Sequence, residues 1–422
     1  MDLLTRRRAM MAQRKQEESV YFFNDAVRYQ LFTDTNNTNG FAPQGGCVVG
    51  SKWFALLMTQ DETEQYMYCY DMMAKTWSLL NTYTTLGHAN SLTYNPNANV
   101  FYVGTGYADL GLAVIDGESF EHVRTFTLHR LDGTTYAPWQ VAYDRKRNLI
   151  YSLANRTMMV NAVSGAAIAE RSFSGWIERT TAQGIETDGQ YFYMVWSSPS
   201  NVIDVYKLSG EYVKTVNINP PSSGYFEIEE IGYDWDGRFY VQVFGGTYSK
   251  FQIHSIIFRT FGGWANMAHI PFSFGAKRET NATVTVTGIN SVQIASKGTK
   301  SYNMYFIGTG YPFGYSFLQG KTCRVSYDLT RVAGTTGSFS SNIFTANAQS
   351  ISTLGARLFQ KSQSKTLVSG TEHVEYEFVM GEGNYVPASG KEGTYVGYAV
   401  FIYADSGNTY LAENYKFEVK LA

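Results

Sequence analysis

The chain has 422 residues, a net charge of −2 and three cysteines, with 44% apolar and only 17% charged residues. That much apolar mass can bury a sizeable core, and the charge balance lacks the basic footprint of a nucleic-acid-binding protein. Cys47, Cys69 and Cys323 are too far apart for a disulfide framework or a CxxC-type zinc site.

The first predicted element is a short helix over residues 1–19. MDLLTRRRAMMAQRKQEE contains no Gly or Pro and carries a net charge of +2, leaving about −4 on the remaining chain. Its apolar run, Ala9–Ala12, is too short for a secretory signal. One face of such a helix could bury Leu3, Leu4, Met10 and Met11 in a partner's groove while Arg6, Arg7 and Arg8 pair with acids. The plainer alternative is a solvated basic face.

Residues 20–272 are expected to form a β-propeller. Four stretches read alike: LTYNPNANVFYVGTG (92–106), VAYDRKRNLIYSLA (141–154), IETDGQYFYMVW (185–196) and IGYDWDGRFYVQVF (231–244). Each is an apolar strand, an Asn/Asp-rich turn that tolerates positive φ, and an aromatic strand. VVGSKWFALLM (48–58) is a degenerate fifth copy. Aligned on the second strand, the markers Ala55, Tyr102, Tyr151, Tyr193 and Tyr240 recur at spacings of 47, 49, 42 and 47. Units of four strands at that period are the mark of propeller blades. Five blades are expected, with VYFFNDAVRYQLF (20–32) as an edge or closing strand; six would follow if that strand founded a blade with HSIIFRTFGG (254–263). The turn pattern of these blades resembles the propeller repeats of the NHL and YVTN type.

In a propeller, residues just before each innermost strand lie beside the central channel. Asn90, Gln140, Gln183 and Glu230 take that place, and His88, Trp139 and Trp176 lie in the preceding loops. Together they form the candidate ligand-binding mouth, where amides and a carboxylate could orient a sugar against an indole. Water bound to the amides, and tryptophans wedged between blades, are the alternative.

Residues 273–422 read as an antiparallel β-sandwich of about eight strands, of jelly-roll type. TVTVTGINSVQIAS, KTCRVSYDLTRV, HVEYEFVM, TYVGYAVFIYAD and NYKFEVKLA alternate as half-buried strands should. Their layout resembles the sandwich modules of carbohydrate-binding proteins and of phage tail appendages, which adds Tyr311, Phe313, Tyr315 and Tyr385 in glycine-bearing loops as contact candidates.

Catalysis is not expected. The six histidines are scattered, there is no HExxH, GxSxG or P-loop, and Glu229 and Glu230 should alternate across a strand so that only one faces the channel. A glycan hydrolase or lyase would need a second acid from another blade. No catalytic residue, metal ligand or cofactor is therefore assigned. MDLLTRRRAMMAQ resembles the starts of tail and appendage proteins of tailed bacteriophages. That resemblance implies a non-enzymatic, oligomeric virion component of the tail, baseplate or fibre region. It would be made in the host cytoplasm, anchored by its first helix and partnered by other virion proteins, without membrane or nucleic-acid contacts. The competing function is recognition of a host-surface glycan by the propeller mouth or the sandwich loops.

Overall fold

The computed structural model describes residues 20–34, 42–106, 111–179, 181–197, 199–219, 225–235, 237–246, 250–266, 282–288, 291–296, 304–307, 320–334, 337–346, 359–367, 370–380, 395–403 and 407–421. The docking residues Leu3, Leu4, Arg6, Arg7, Arg8, Met10 and Met11, and the loop aromatics Tyr311, Phe313, Tyr315 and Tyr385, lie outside them. Every described regular element is a β-strand. Two compact units are present, Phe22–Phe258 and one that includes Arg259–Ala422.

The first unit is built like a β-propeller. Strand β1 (Val20–Thr33) precedes a first blade of β2–β5 (Ala42–Val49, Lys52–Met58, Gln65–Asp71, Thr76–Tyr83). The second blade is β6–β9 (Ser91–Asn95, Val100–Gly104, Leu112–Asp116, His122–Phe126). A small hairpin, β10 (Leu128–His129) and β11 (Thr135–Tyr136), leads to the third, β12–β15 (Val141–Asp144, Leu149–Ala154, Thr157–Ala162, Ala167–Ser172). The fourth is β16–β19 (Ala182–Thr187, Tyr191–Trp196, Val202–Lys207, Tyr212–Asn217). The fifth takes three strands from the end of the repeat region, β20–β22 (Tyr225–Tyr233, Phe239–Gly246, Lys250–Phe261), and receives β1 as its outer edge.

The five sheets form a ring because each buries an apolar face against the next. Phe54 and Met67 of the first blade pack with Leu92 and Phe101 of the second. Tyr102 and Val114 meet Val141 and Ile150 of the third. Tyr151 and Met158 meet Phe192 and Met194 of the fourth. Tyr193 lies 4.8 Å from Phe239 of the fifth, and Tyr240 and Phe251 return to Trp53 and Tyr70 of the first. The closing strand fastens both neighbours. Phe22 sits edge-on to Tyr191 at 5.1 Å, and Asp25 bridges Asn217 of the fourth blade in parallel register. Phe32, ten residues on, stacks at 4.5 Å on Tyr70 of the first.

The sequence repeat has a structural reason. Ala55, Tyr102, Tyr151, Tyr193 and Tyr240 pair with Gly46, Thr93, Ala142, Glu186 and Gly232 of the innermost strands, so all five markers hold one register. All are buried. The Asn/Asp of each turn caps its own hairpin. Asn95 Oδ1 accepts the Asn97 amide at 2.9 Å, Asp144 Oδ1 the Lys146 amide at 2.8 Å and Asp188 Oδ1 the Gln190 amide at 2.7 Å, as Asx turns do. The marker tyrosines add a second tie: the Tyr193 hydroxyl donates to Asp188 Oδ2 at 2.9 Å, and the Tyr102 hydroxyl accepts from Asn95 Nδ2 at 3.0 Å.

Beyond the propeller-like unit lie two antiparallel sheets. In one, β32 (Thr409–Lys420) pairs on one side with β27 (Thr322–Ala333) and on the other with β25 (Ser291–Ser296) and β23 (Trp264–Asn266). The edges are β24 (Ala282–Gly288) and β30 (Thr371–Val379). The other sheet runs β26 (Met304–Ile307), β31 (Tyr395–Tyr403), β28 (Gly337–Ala346) and β29 (Phe359–Leu367). In β30 the period-2 reading is visible directly: Val374, Tyr376 and Phe378 are buried, while Glu375 and Glu377 are exposed. Phe339 of the second sheet lies 5.8 Å from both Tyr327 and Tyr410 of the first.

A ring of only five sheets brings the inner strands unusually close. A Cβ on Gly45 would stand 2.6 Å from the Ser91 carbonyl carbon and 2.7 Å from the Leu92 nitrogen, both backbone atoms. Gly45→Ala should therefore force the first and second blades apart and cost about 1–3 kcal/mol. Urea unfolding would read this as a lower midpoint at constant slope. An unchanged midpoint would mean that the inner strands tolerate a wider separation.

Candidate functional site

The channel end chosen from the sequence is where the chain enters each innermost strand. The structure brings most of the predicted residues there, but in an unexpected state: their amides bond to other blades. Asn90 Nδ2 donates to the Gln183 carbonyl at 3.0 Å, from the second blade to the fourth, so this bond crosses the axis. Gln140 Nε2 donates to the Ala182 carbonyl at 2.7 Å, and Gln183 Nε2 to Glu227 Oε1 at 3.2 Å. Gln242, which periodicity alone did not mark, donates to the Gln44 carbonyl at 2.6 Å and accepts from Trp53 Nε1 at 3.0 Å. One layer deeper, the Ser91 hydroxyl and the Val141 amide and carbonyl exchange bonds of 3.1 Å between the second and third blades. These side chains act as crosslinks, since a buried amide must find a partner and here the adjacent backbone supplies it.

Acids occupy the axis below the amides. Glu230 is fully buried, and its carboxyl reaches across to the Ser91 hydroxyl and the Leu92 amide of the second blade. Oε1 also accepts the Ile231 amide at 3.0 Å, whereas Oε2 has no hydrogen-bond partner. It fills space that a side chain at position 184 would need: a Cβ on Gly184 would stand 1.8 Å from Glu230 Oε1. A β-bulge lies between Ile228 and Glu230, where a regular alternation of Glu229 and Glu230 was expected. Bulges re-aim side chains, and both carboxyls are buried. The inner strands of the first and fourth blades are also bulged, between Pro43 and Gly46 and between Ala182 and Ile185.

Nearer the turns, Glu186 accepts the Thr187 amide at 2.8 Å and the Tyr233 amide at 3.3 Å. Burial pushes its carboxyl up to about 8, against the pull of those two amides and of Arg145. Glu229 and Glu230 are driven well above the usual carboxylate range, in each case first by burial; Glu227 adds to the effect at Glu229 and Glu186 at Glu230. Desolvation disfavours the charged form, so these acids are held neutral. Glu186, which pairs with Tyr193, was not marked from the sequence.

Aromatic candidates separate into two kinds. Trp176 is half-buried against Phe173 at 5.4 Å and Trp196 at 5.5 Å, a wedge within the apolar face of the fourth blade. Trp139 is 43% exposed. It stands on Gly106, where a Cβ would meet the indole at 2.7 Å and where φ is +77°. His88 lies edge-on to it at 5.3 Å, and His88 Nδ1 is 3.4 Å from Glu62 Oε2. The rim thus offers an indole face beside an imidazole and a carboxylate. Among the described residues no His/Cys/Asp/Glu group has metal-binding geometry. All three cysteines are free and buried, and burial raises Cys69 to about 11 and Cys323 to about 12, so they are unreactive thiols at neutral pH.

The neutral acids fix the sign of a pH effect. Their folded pKa values lie above the unfolded Glu value of about 4.3, so the native state holds more protons between that value and, for Glu186, about 8. Stability is therefore greatest at the acidic end of this window and falls as pH rises through it. Glu186→Gln removes one contributor, and the drop in Tm between about pH 5 and about pH 8 should shrink relative to wild type. Scanning calorimetry at constant ionic strength would measure it, and an identical slope in both proteins would refute the assignment.

No protein-family model and no curated protein matches the chain. Among solved structures it is similar to the Myxococcus xanthus glutaminyl cyclase, at 13% identity and a TM-score of 0.41, over 55% of this chain and 98% of that one. It is similar to a mutant of the GH43 protein BlXynB from Bacillus licheniformis, at 9% identity and a TM-score of 0.37, over 93% and 100% of the two chains. A third is the Kuenenia stuttgartiensis hydrazine synthase, at 14% identity and a TM-score of 0.25, over 50% of this chain and 55% of that one.

Proposed function

We propose that the protein is a non-enzymatic structural component of a tailed-phage virion, anchored through residues 1–19 and presenting rigid β domains to neighbouring subunits or to the host surface. The observation that carries this reading is the filled channel. Asn90 and Glu230 cross it, and amides of four blades donate to backbone carbonyls or a carboxylate of other blades. A channel crosslinked in this way favours stiffness over chemistry. On this reading the two sheets of the second unit form a jelly-roll sandwich over residues 273–422 that also takes in Trp264–Asn266, supported by the rings of Phe339, Tyr327 and Tyr410 that meet between them. The anchor rests on the likeness of MDLLTRRRAMMAQ to tail and appendage proteins. Full-length protein should co-sediment with phage particles, and a variant lacking residues 1–18 should stay in the supernatant while keeping its Tm. Particle association that survives the deletion would remove the anchoring role.

A second reading, glycan recognition, is favoured by the exposed face of Trp139 beside His88 and Glu62. Sugar rings stack on indole faces, and a nearby carboxylate can accept their hydroxyls. Trp139→Ala should weaken binding to host-surface polysaccharide roughly tenfold, about 1.4 kcal/mol, in glycan-array or calorimetric titration. Trp176→Ala should instead lower Tm. Equal polysaccharide affinity in wild type and Trp139→Ala would exclude the rim as the glycan site.

A further inference from the structure

Between the third and fourth blades, away from the channel, a groove of about 460 Å³ opens at the turn end. Its walls are apolar: Leu149 and Val160 come from the third blade, Leu208 from the β18–β19 turn, and Ile168, 53% exposed, from the outer strand β15. Leaving that isoleucine in water while it lines a cavity is costly, since apolar surface gains about 25 cal/mol per Å² on burial.

Two guanidiniums frame the same groove. Arg147 is held by Asp144 Oδ2 at 2.6 Å and by the Gly189 carbonyl at 2.7 Å, both through Nη1, and its side chain remains 47% exposed. Arg171 donates through Nη1 to the Leu208 carbonyl on the opposite wall. Each is thus oriented by one edge of its fork and has further N–H groups to offer. Both bear on the Tyr151 hydroxyl at the groove's floor: burial raises its pKa, Asp144 adds to the rise, and Arg147 and Arg171 pull it back. Asp144 and Asp188 both act on Arg147, so the two guanidiniums face two carboxylates at the edge of an apolar trough.

We propose that this groove is a binding site for an amphipathic monocarboxylate, a small molecule with an unbranched aliphatic body and one carboxylate. The body lies along Leu149, Val160, Ile168 and Leu208, and the carboxylate meets Arg147 and Arg171. Cavity size fits, because small-molecule sites span about 300–1,000 Å³. Charge fits as well, since planar guanidiniums match carboxylates and such charge-assisted bonds are the strong ones. The apolar walls reject a strongly hydrated dianion, and the N–H groups that Arg147 and Arg171 leave unused favour an acid over its neutral alcohol.

Calorimetric titration of the full chain with sodium octanoate and with 1-octanol tests the site. Octanoate should bind saturably, and octanol roughly tenfold more weakly, as expected for losing a hydrogen bond to a charged group. Arg171→Gln should weaken octanoate roughly tenfold and leave octanol unchanged. Ser209→Glu places a negative charge at an exposed position on the lip; it should abolish octanoate binding with no change in Tm, and it serves where Arg171→Gln fails to fold. Absence of saturable octanoate binding to the wild type would overturn the proposal. So would octanol binding as tightly as octanoate, or octanoate affinity that survives Ser209→Glu.

Discussion

Everything in the propeller-like unit depends on how closely five innermost strands can approach one axis. Sheets of this width leave little room at the centre, so the backbone itself becomes the wall. Gly45 lies against Ser91 and Leu92, Gly46 against Trp53 and Gln242, Gly184 against Glu230 and Gly232 against Trp53. Once strands are that near, the polar groups of each blade fall within reach of the next, and Ser91–Val141, Gln140–Ala182 and Gln242–Gln44 follow as geometric consequences. Bulges in three inner strands shift the local register enough to aim these side chains.

The same closeness sets the state of the acids at the centre. Carboxyls pressed into a dry axis keep their protons, and a neutral acid with its neighbours in place can stitch blades together. Glu230 joins the fifth blade to the second, and Glu186 joins the fourth to the fifth. At the periphery Trp139 is part-exposed on the rim, and two arginines border an apolar trough between blades.

Much of this organisation was legible in the order of residues. The stride of the second-strand tyrosines gave the blades, because a fixed register repeats the same neighbours; the Asx residues gave the hairpin turns, because only a short side-chain acceptor caps them so tightly. Residues 20–32, expected as an edge or closing strand, lie on the outside of the fifth blade. The mouth was read less well. His88, Asn90, Trp139, Gln140, Gln183 and Glu230 do cluster near the axis or its rim, but the sequence could not say what the amides bond, because their partners, two backbone carbonyls and the Glu227 carboxylate, lie 42 to 93 positions away. Trp176 was grouped with Trp139 for lying in a loop, and only tertiary packing separates a wedged indole from an open one. The alternation argument for Glu229 and Glu230 assumed a regular strand, and the bulge beside them leaves no periodic trace in the sequence.

One further consequence concerns the order in which the molecule is made. The strand that completes the fifth blade is the first described strand to leave the ribosome, and its partner β22 emerges more than two hundred residues later. Until then Phe22 and Phe32 have no finished surface to cover, and the nascent chain must carry an orphaned edge through most of translation. Closure is thus a late, long-range event, slow by the rule that distant contacts form last. A nascent chain halted before residue 250 would expose its first strand to pairing with a neighbouring copy.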